Sequence, residues 1–90
     1  MALKYHELER VVRGFSNHRR IQILEHLDKH PELSVAEMAT QLKIHFKTAA
    51  AHIQRLAIAG LVMKRNDASF VRHKLTTRGR IILKFLRTLA

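Results

Sequence analysis

Apolar residues recur along much of this chain at steps of three and four, the spacing of one buried helical face. Between residues 34 and 60 this period runs twice, with a short interruption at 43–45. Ser34 and Glu37 form an S-x-x-E pair, which is typical of a capping box at a helix start. Gly60 follows the second run, where a helix C-terminus often needs a residue of positive φ. The pattern predicts a helix-turn-helix over residues 34–60.

Helical periods also flank this pair. Residues 3–15 and 19–30 predict two helices, the second with Asn17 as its N-cap and Ile21, Leu24 and Leu27 as its inner stripe. A last helix begins after Thr76 or Thr77. Its main apolar stripe follows the spacing i, i+3, i+4 and i+7 and consists of Ile82, Phe85, Leu86 and Leu89. Leu83 lies outside this stripe.

Residues 61–76 break the helical period and predict a β-hairpin. Two strand-like runs, 61–65 and 70–75, surround a four-residue turn at 66–69. In the second run polar and apolar residues alternate, and His73 faces the inner side as a partly buried, hydrogen-bonded histidine. We expect residues 32–33 to add a very short third strand. The chain therefore predicts a mainly α fold with a small β-hairpin: five helices plus a two- to three-stranded wing, in one domain covering 1–90.

The amino-acid composition excludes several kinds of stabilising site and a membrane span. The 90-residue chain has no cysteine, which excludes a disulfide or a thiolate metal site. No run approaches 18 uninterrupted apolar residues, and the charged N-terminus lacks an apolar signal core. We therefore expect a cytoplasmic, nucleoid-associated protein without a membrane span.

The charge is concentrated in one part of the chain. Residues 1–37 carry six basic and six acidic side chains, whereas residues 38–90 carry eleven basic ones and Asp67 as their only acid. The excess, which accounts for the net charge of +10, begins where the helix-turn-helix begins. Clustered positive charge of this kind indicates a polyanionic partner, although a basic surface that only aids solubility is the plainer interpretation.

Four segments in order resemble ArsR-type and MarR-type winged helix-turn-helix regulators. Residues 42–56 (LKIHFKTAAAHIQRL) resemble the turn and recognition helix, and 59–62 (AGLV) the entry to the wing. Residues 15–24 (FSNHRRIQIL) resemble the opening of a core helix, and 75–80 (LTTRGR) the segment after the wing. The resemblance covers about residues 15–89. It implies a transcriptional regulator that binds double-stranded DNA.

In ArsR-type proteins the first and last helices form the dimer interface. The resemblance therefore implies that residues 1–15 and 77–90 mediate a homodimer here, and the wide apolar stripe of the last helix agrees. From the pattern alone, the stripe of the first helix could instead cover its own domain. The predicted interface residues are Leu8, Val12, Ile82, Phe85, Leu86 and Leu89.

A recognition helix enters the major groove with its outer face near base edges. If Ala49, Ile53 and Leu56 face inward, the outer face consists of Phe46, Lys47, Thr48, Ala50, Ala51, Gln54 and Arg55. Gln54 could contact adenine with two hydrogen bonds, and Lys47 or Arg55 could reach guanine or phosphate. The two alanines allow a close approach to the groove, or they reflect helix propensity alone.

The wing supplies four further basic residues for the DNA backbone or the minor groove: Lys64, Arg65, Arg72 and Lys74. Arg19, Arg20 and Arg78 are additional candidates for phosphate contacts. For Arg20 the alternative is a salt bridge to Glu37 or another carboxylate. The basic residues of the last helix, which include Arg80, Lys84 and Arg87, are expected to form a solvated face.

The seven histidines raise the question of a metal site. His26 and His30 stand at i and i+4, but two ligands do not make a structural site. His45 is expected to cap the recognition helix and His52 to pack or to contact phosphate. No nucleophile–base pair or phosphate-binding glycine loop occurs, so we predict no enzyme activity, no metal and no cofactor.

Two other functions remain open from the sequence alone. A winged helix can serve as a protein-interaction module, which the basic half of the chain argues against. It can also bind RNA or DNA without a preferred site, which the pair of alanines keeps possible.

Overall fold

The structure is a computed structural model that describes residues 4–90. Within that range the chain forms five helices and one hairpin in the predicted order. The predicted start of the first helix at Leu3 lies outside the described residues. The elements are α1 (Tyr5–Phe15), α2 (His18–Lys29), α3 (Val35–Leu42), α4 (Phe46–Ile58), β1 (Val62–Asp67), β2 (Phe70–Leu75) and α5 (Thr77–Thr88).

Side-chain caps set the starts of α2, α3 and α5, as predicted. The Asn17 side chain accepts hydrogen bonds from the backbone N–H groups of Arg19 and Arg20 at the start of α2. Ser34 and Glu37 form both hydrogen bonds of the capping box before α3. Thr76 accepts from the N–H of Gly79 at the start of α5. Each cap satisfies donors that a helix start leaves without an intrahelical partner.

The core joins α2, α3, α4 and the hairpin. These elements and the connections between them contribute the most deeply buried side chains. They are Ile23, Leu24, Leu27, Met38, Ile53, Leu56, Leu61 and His73. These side chains belong largely to a single apolar cluster. This core supports α4 from behind and leaves its other side free.

The predicted inner stripes of α2 and α5 need correction. Ile23 is fully buried on α2, whereas Ile21 is only partly buried. On α5, the leucine side chain that is buried is that of Leu83, although the periodicity places it outside the main stripe. Ile82 and Leu86 are partly buried against the core, while Phe85 and Leu89 are exposed. The reason is that α5 has two adjacent apolar faces, and only one of them packs on its own domain.

The hairpin is longer than predicted, and its turn is shorter. β1 and β2 pair antiparallel from Val62–Leu75 to Asp67–Phe70, so two residues rather than four form the turn. Ala68 takes a φ of +55° there, a left-handed conformation that makes so tight a turn possible. The sheet has two strands, and the third strand expected at residues 32–33 is reduced to a single bridge between Leu33 and His73.

Candidate nucleic-acid interface

Helix α4 is held by its inner face, as predicted. Ala49, Ile53 and Leu56 are buried against the core. At its start, Nδ1 of His45 accepts a hydrogen bond from the N–H of Lys47 at 3.3 Å, which confirms the predicted cap. At its end, Gly60 takes a φ of +78°, which confirms the predicted positive φ.

The turn between α3 and α4 fixes the angle at which α4 leaves the core. Lys43 takes a left-handed conformation with a φ of +56°. Ile44 is buried beside Ala39 and Ala49, and its N–H donates to the carbonyl of Ala39. Because the turn has its own apolar anchor, α3 and α4 form one unit.

The opposite face of α4 is open to solvent. Six of the seven residues predicted to face outward are exposed, and Ala50 is partly buried. The exposed six are Phe46, Lys47, Thr48, Ala51, Gln54 and Arg55. Ile58 extends this face at its C-terminal end with 63% of its surface exposed, and the sequence prediction omitted it. Its position one turn after Gln54 on the same helical face was the signal that could have identified it.

Arg20 connects α2, where it lies, to both α1 and α4. Its Nε donates to Nδ1 of His52 at 3.2 Å, and its Nη1 donates to the carbonyls of Arg13 and Gly14 at 3.1 and 3.4 Å. The predicted alternative of an Arg20–Glu37 salt bridge is wrong. Glu37 instead belongs to the capping box and lies 4.0 Å from Arg72.

His52 is therefore a packing residue that accepts a hydrogen bond. Burial lowers the pKa of His52, and the positive charge of Arg20 lowers this pKa further. Nδ1 of His52 accepts the hydrogen bond from Arg20, so protonation of Nδ1 would direct an N–H group at the positively charged Arg20 guanidinium. At neutral pH this side chain therefore adds no positive charge to α4.

The basic residues of the wing differ in whether they form ion pairs and hydrogen bonds within the protein. Nε of Arg72 lies 2.8 Å from Oδ2 of Asp67, and its Nη1 donates to the carbonyl of Glu32. This pairing raises the pKa of Arg72 and lowers the pKa of Asp67. Arg65 stands opposite Arg72 in the hairpin and pairs with the Glu32 carboxylate at 3.3 Å.

Lys64 and Lys74 are exposed on the same hairpin, and in the part of the chain that the structure describes neither forms a salt bridge. Their full charges are therefore available to a partner. Arg72, by contrast, stabilises the hairpin against the segment before α3, and Arg65 shares its charge with Glu32.

Arginines outside the wing also bond within the protein. Arg78 donates to the carbonyl of Ala59 at 3.0 Å and thereby satisfies the C-terminal end of α4. Arg19 donates to the side chain of Gln22. Arg87 is exposed on α5, as predicted, and it pairs there with Glu25 and Asp28, each at 2.9 Å.

The histidines contribute to packing and hydrogen bonding. The rings of His26 and His30 lie 4.8 Å apart between centroids and are tilted by 47°, and Nε2 of His26 lies 2.6 Å from the side-chain oxygen of Gln41. Nδ1 of His73 donates to the carbonyl of Leu33 at 2.9 Å, and this buried residue confirms the prediction of a satisfied histidine. Among residues 4–90, no three His, Cys, Asp or Glu side chains are grouped to hold a metal ion.

The two terminal helices keep apolar side chains at the surface. Leu8 and Val12 of α1 are 45% and 51% exposed, and Phe85 and Leu89 of α5 are 53% and 67% exposed. The predicted interface residues Ile82 and Leu86 are partly buried and pack against the core. None of the helices in the described range is long and apolar enough to cross a membrane.

The sequence of residues 16–63 matches a family described as winged helix-turn-helix DNA-binding, and this match spans more than half of the chain. The chain belongs to the winged helix-turn-helix DNA-binding family. Among curated protein sequences, none matches it significantly. The matched segment begins one residue before the cap of α2 and ends in β1, so it contains the whole helix-turn-helix.

Solved structures of transcriptional regulators resemble this winged helix-turn-helix chain over nearly its full length. The homodimeric DNA-binding domain of Mb0332 from Mycobacterium bovis, a possible ArsR-family transcriptional regulator, is 26% identical with a TM-score of 0.84, covering 93% of this chain and 78% of that one. HlyU from Vibrio cholerae is 29% identical with a TM-score of 0.81, covering 99% and 97%.

A more distant similarity concerns the fold alone. MarR is 19% identical with a TM-score of 0.76, covering 91% of this chain and 58% of that one. The resemblance to ArsR-type and MarR-type regulators that residues 15–89 indicated is thus confirmed. The similar proteins are transcriptional regulators and not enzymes, which fits the prediction of no enzyme activity.

Proposed function

We propose that this protein is a homodimeric transcriptional regulator that binds specific sequences of double-stranded DNA. The observation that carries the proposal is the division of α4 into a buried inner face and an exposed outer face with polar and basic side chains. A helix of this kind fits the major groove, which is about 12 Å wide. The net charge of +10 supports a polyanionic partner.

Base contacts would come from the outer face of α4. Gln54 has the amide geometry for a pair of hydrogen bonds to adenine, and Arg55 or Lys47 can contact guanine or phosphate. Ala51 is exposed between them and leaves room for a close approach to the groove floor. Few side chains on this face can read bases, so backbone contacts supply a large part of the affinity.

The wing would lie along the backbone or in the adjacent minor groove. Lys64 and Lys74 are best placed for this role because their charges are not engaged in salt bridges within the described residues. Arg65 can contribute if Glu32 releases it, whereas Arg72 serves the hairpin first. Such contacts position the protein without selecting a sequence.

The exposed apolar faces of α1 and α5 support the homodimer. Leu8, Val12, Phe85 and Leu89 are large apolar side chains that the domain leaves in solvent. A similar protein, the Mb0332 domain, is itself described as homodimeric. In a symmetric dimer two α4 helices would reach successive major grooves about 34 Å apart, at a palindromic site.

Selection of bound duplexes from a random pool, followed by a salt titration of the affinity, tests this function. We expect an enriched palindromic motif and an affinity that falls steeply as salt rises. Binding without any enriched motif would favour an architectural role. No binding of duplex DNA at low salt would contradict the proposal and favour a protein-interaction module.

A further inference from the structure

A cavity of about 280 Å³ lies where α1, α2 and α4 meet. Four of the residues that line it are arginines from three different helices: Arg10, Arg13, Arg20 and Arg55. Its volume is below the usual range for drug-sized ligands, which begins at about 300 Å³. A small, strongly charged group suits this cavity better than an apolar molecule does.

The fold of α1 brings these arginines together. Val11, Gly14 and Phe15 of α1 face the core. Arg10 and Arg13 are three residues apart and therefore lie together on one flank of this helix. Gly14 permits the approach of α1 to α4, because a Cβ at this position would overlap the Cβ of Ala59. The close contact places the basic flank of α1 beside Arg55.

The positive charges in this arginine pocket are largely uncompensated. Arg13 pairs with Glu9 at 3.3 Å in an exposed contact. Within residues 4–90, no carboxylate lies within 4.0 Å of Arg10, Arg20 or Arg55. The Nε and Nη1 of Arg20 bond within the protein, which leaves its Nη2 with no protein acceptor in the described range. Four like charges at one cavity repel each other, and an anion would relieve that repulsion.

The chemistry of guanidinium indicates which anion. Its planar fork of N–H donors matches the oxygens of a phosphate group and forms two parallel charge-assisted hydrogen bonds. Several guanidinium groups around one small cavity can therefore surround a phosphate from more than one side. We propose that the arginine pocket binds a phosphate group.

The phosphate could come from either of two sources. Arg55 belongs both to the pocket and to the exposed face of α4, so a backbone phosphate of a duplex that contacts α4 could reach the pocket. This source rests on the proposed function. A free phosphorylated compound would need no DNA, and it would link DNA binding to a small molecule through the junction of α1 and α4.

The variant to test is Arg10→Gln/Arg13→Gln. It removes two charges from exposed positions and leaves Arg20, which supports the end of α1, and Arg55, which lies on the recognition face. The matched control is Lys29→Gln/Lys84→Gln, which removes the same charge from exposed positions that do not line the pocket. Circular dichroism of both variants should report wild-type helix content and a similar melting transition.

The first measurement is the affinity for duplex DNA over a range of salt concentrations. If the backbone is the source, the slope of log K against log salt becomes shallower by about 0.9 for each phosphate that the variant no longer neutralises. The control keeps a slope close to that of the wild type. The second measurement is a titration of the DNA-free protein with inorganic phosphate, followed by the amide NMR signals of Gly14 and Arg55.

The two measurements separate the sources. A shallower slope in the pocket variant alone supports a backbone phosphate. Saturable amide shifts that the pocket variant loses and the control retains support a free phosphorylated ligand. An unchanged slope together with no saturable shift overturns the proposal. If the wild type fails to bind duplex DNA, the proposed function fails, and the phosphate titration alone then decides for or against the pocket.

Discussion

The Nε of Arg20 and the Nδ1 of His52 are joined by a hydrogen bond of 3.2 Å that links α2 to the recognition helix across 32 positions of the sequence. The same guanidinium also binds two carbonyls at the end of α1. One side chain thus fixes three helices relative to each other. The orientation of α4 depends on this contact as well as on its apolar inner face.

Replacement of His52 should reveal the contribution of this contact. His52→Ala removes the acceptor, and we expect the free energy of unfolding to fall by about 1 kcal/mol, the usual net value of one hydrogen bond. His52→Gln keeps an acceptor within reach and should lose less. Urea unfolding measures both variants at pH 7.5. Equal losses in the two would show that the hydrogen bond to Arg20 contributes nothing.

Acid should destabilise the protein through His73 and His52. Burial lowers the pKa of His73, although its hydrogen bond to Leu33 opposes the shift, and the pKa of His52 is lowered as well. An unfolded histidine takes up its proton near pH 6.5, whereas these folded ones do so only at lower pH. The unfolded state then binds more protons, so stability falls as the pH drops below about 6.5 and is unaffected above it.

Urea unfolding between pH 8 and pH 5 tests this dependence in a range where the carboxylates stay ionised. We expect His73→Phe to flatten the curve. Since a phenylalanine could strain this buried site, the ring signals of His73 provide a second readout by NMR. A His73 ring that titrates at or above pH 6.5 would refute the prediction.

The contact between Gly14 and Ala59 predicts a compensating pair of mutations. A Cβ at Gly14 would overlap the Cβ of Ala59, so Gly14→Ala should destabilise by about 1–3 kcal/mol, as overpacking usually does. Ala59→Gly removes the atom in the way. The double variant should therefore recover at least about 1 kcal/mol relative to the sum of the single variants, a coupling that contacting residues show. Strictly additive effects would mean that α1 does not pack here.

Phe85→Glu should dissociate the proposed homodimer without unfolding the domain. Phe85 is 53% exposed, and a charge on the apolar face of α5 opposes its burial against a second subunit. As a control, Lys84→Glu introduces a negative charge at the exposed position directly before Phe85. Light scattering after size exclusion should give the mass of one chain for Phe85→Glu and of two for the control. A dimeric Phe85→Glu would place the interface elsewhere.

Gln54 and Lys64 should affect DNA binding in different ways. Gln54→Ala removes a possible base contact, worth about 1–3 kcal/mol of discrimination, and should relax the selected motif at one position per half-site. Lys64→Gln should weaken binding of all duplexes alike and make the salt slope shallower by about 0.9 per phosphate contact. Sequence selection and salt titrations of both variants provide the comparison. If Lys64→Gln altered the motif, the roles of helix and wing would be reversed.

Much of this fold follows from local signals. The caps at Asn17, Ser34 and Thr76 and the turn at 43–45 satisfy backbone groups within a few residues, so they are readable in the chain itself. The buried face of α4 follows from the same local rule, because its apolar residues recur every three to four positions. The position of α4 and of its buried face was therefore predictable.

Other features depend on which elements meet. Periodicity shows that α5 is widely apolar, but only packing decides that Leu83 faces the core and Phe85 the solvent. Arg72 and Arg78 are basic residues in the sequence, yet the carboxylate of Asp67 and the carbonyl of Ala59 engage them in the fold.

The arginine pocket has no counterpart in any local pattern, since Arg10, Arg13, Arg20 and Arg55 come from three helices. The chain's own pattern decides which segments form helices and which of their sides are apolar, because those preferences act over one or two turns. Which charges remain free, and which of two apolar faces is covered, was decided by tertiary packing alone, because electrostatic and packing energies depend on neighbours that are distant in sequence.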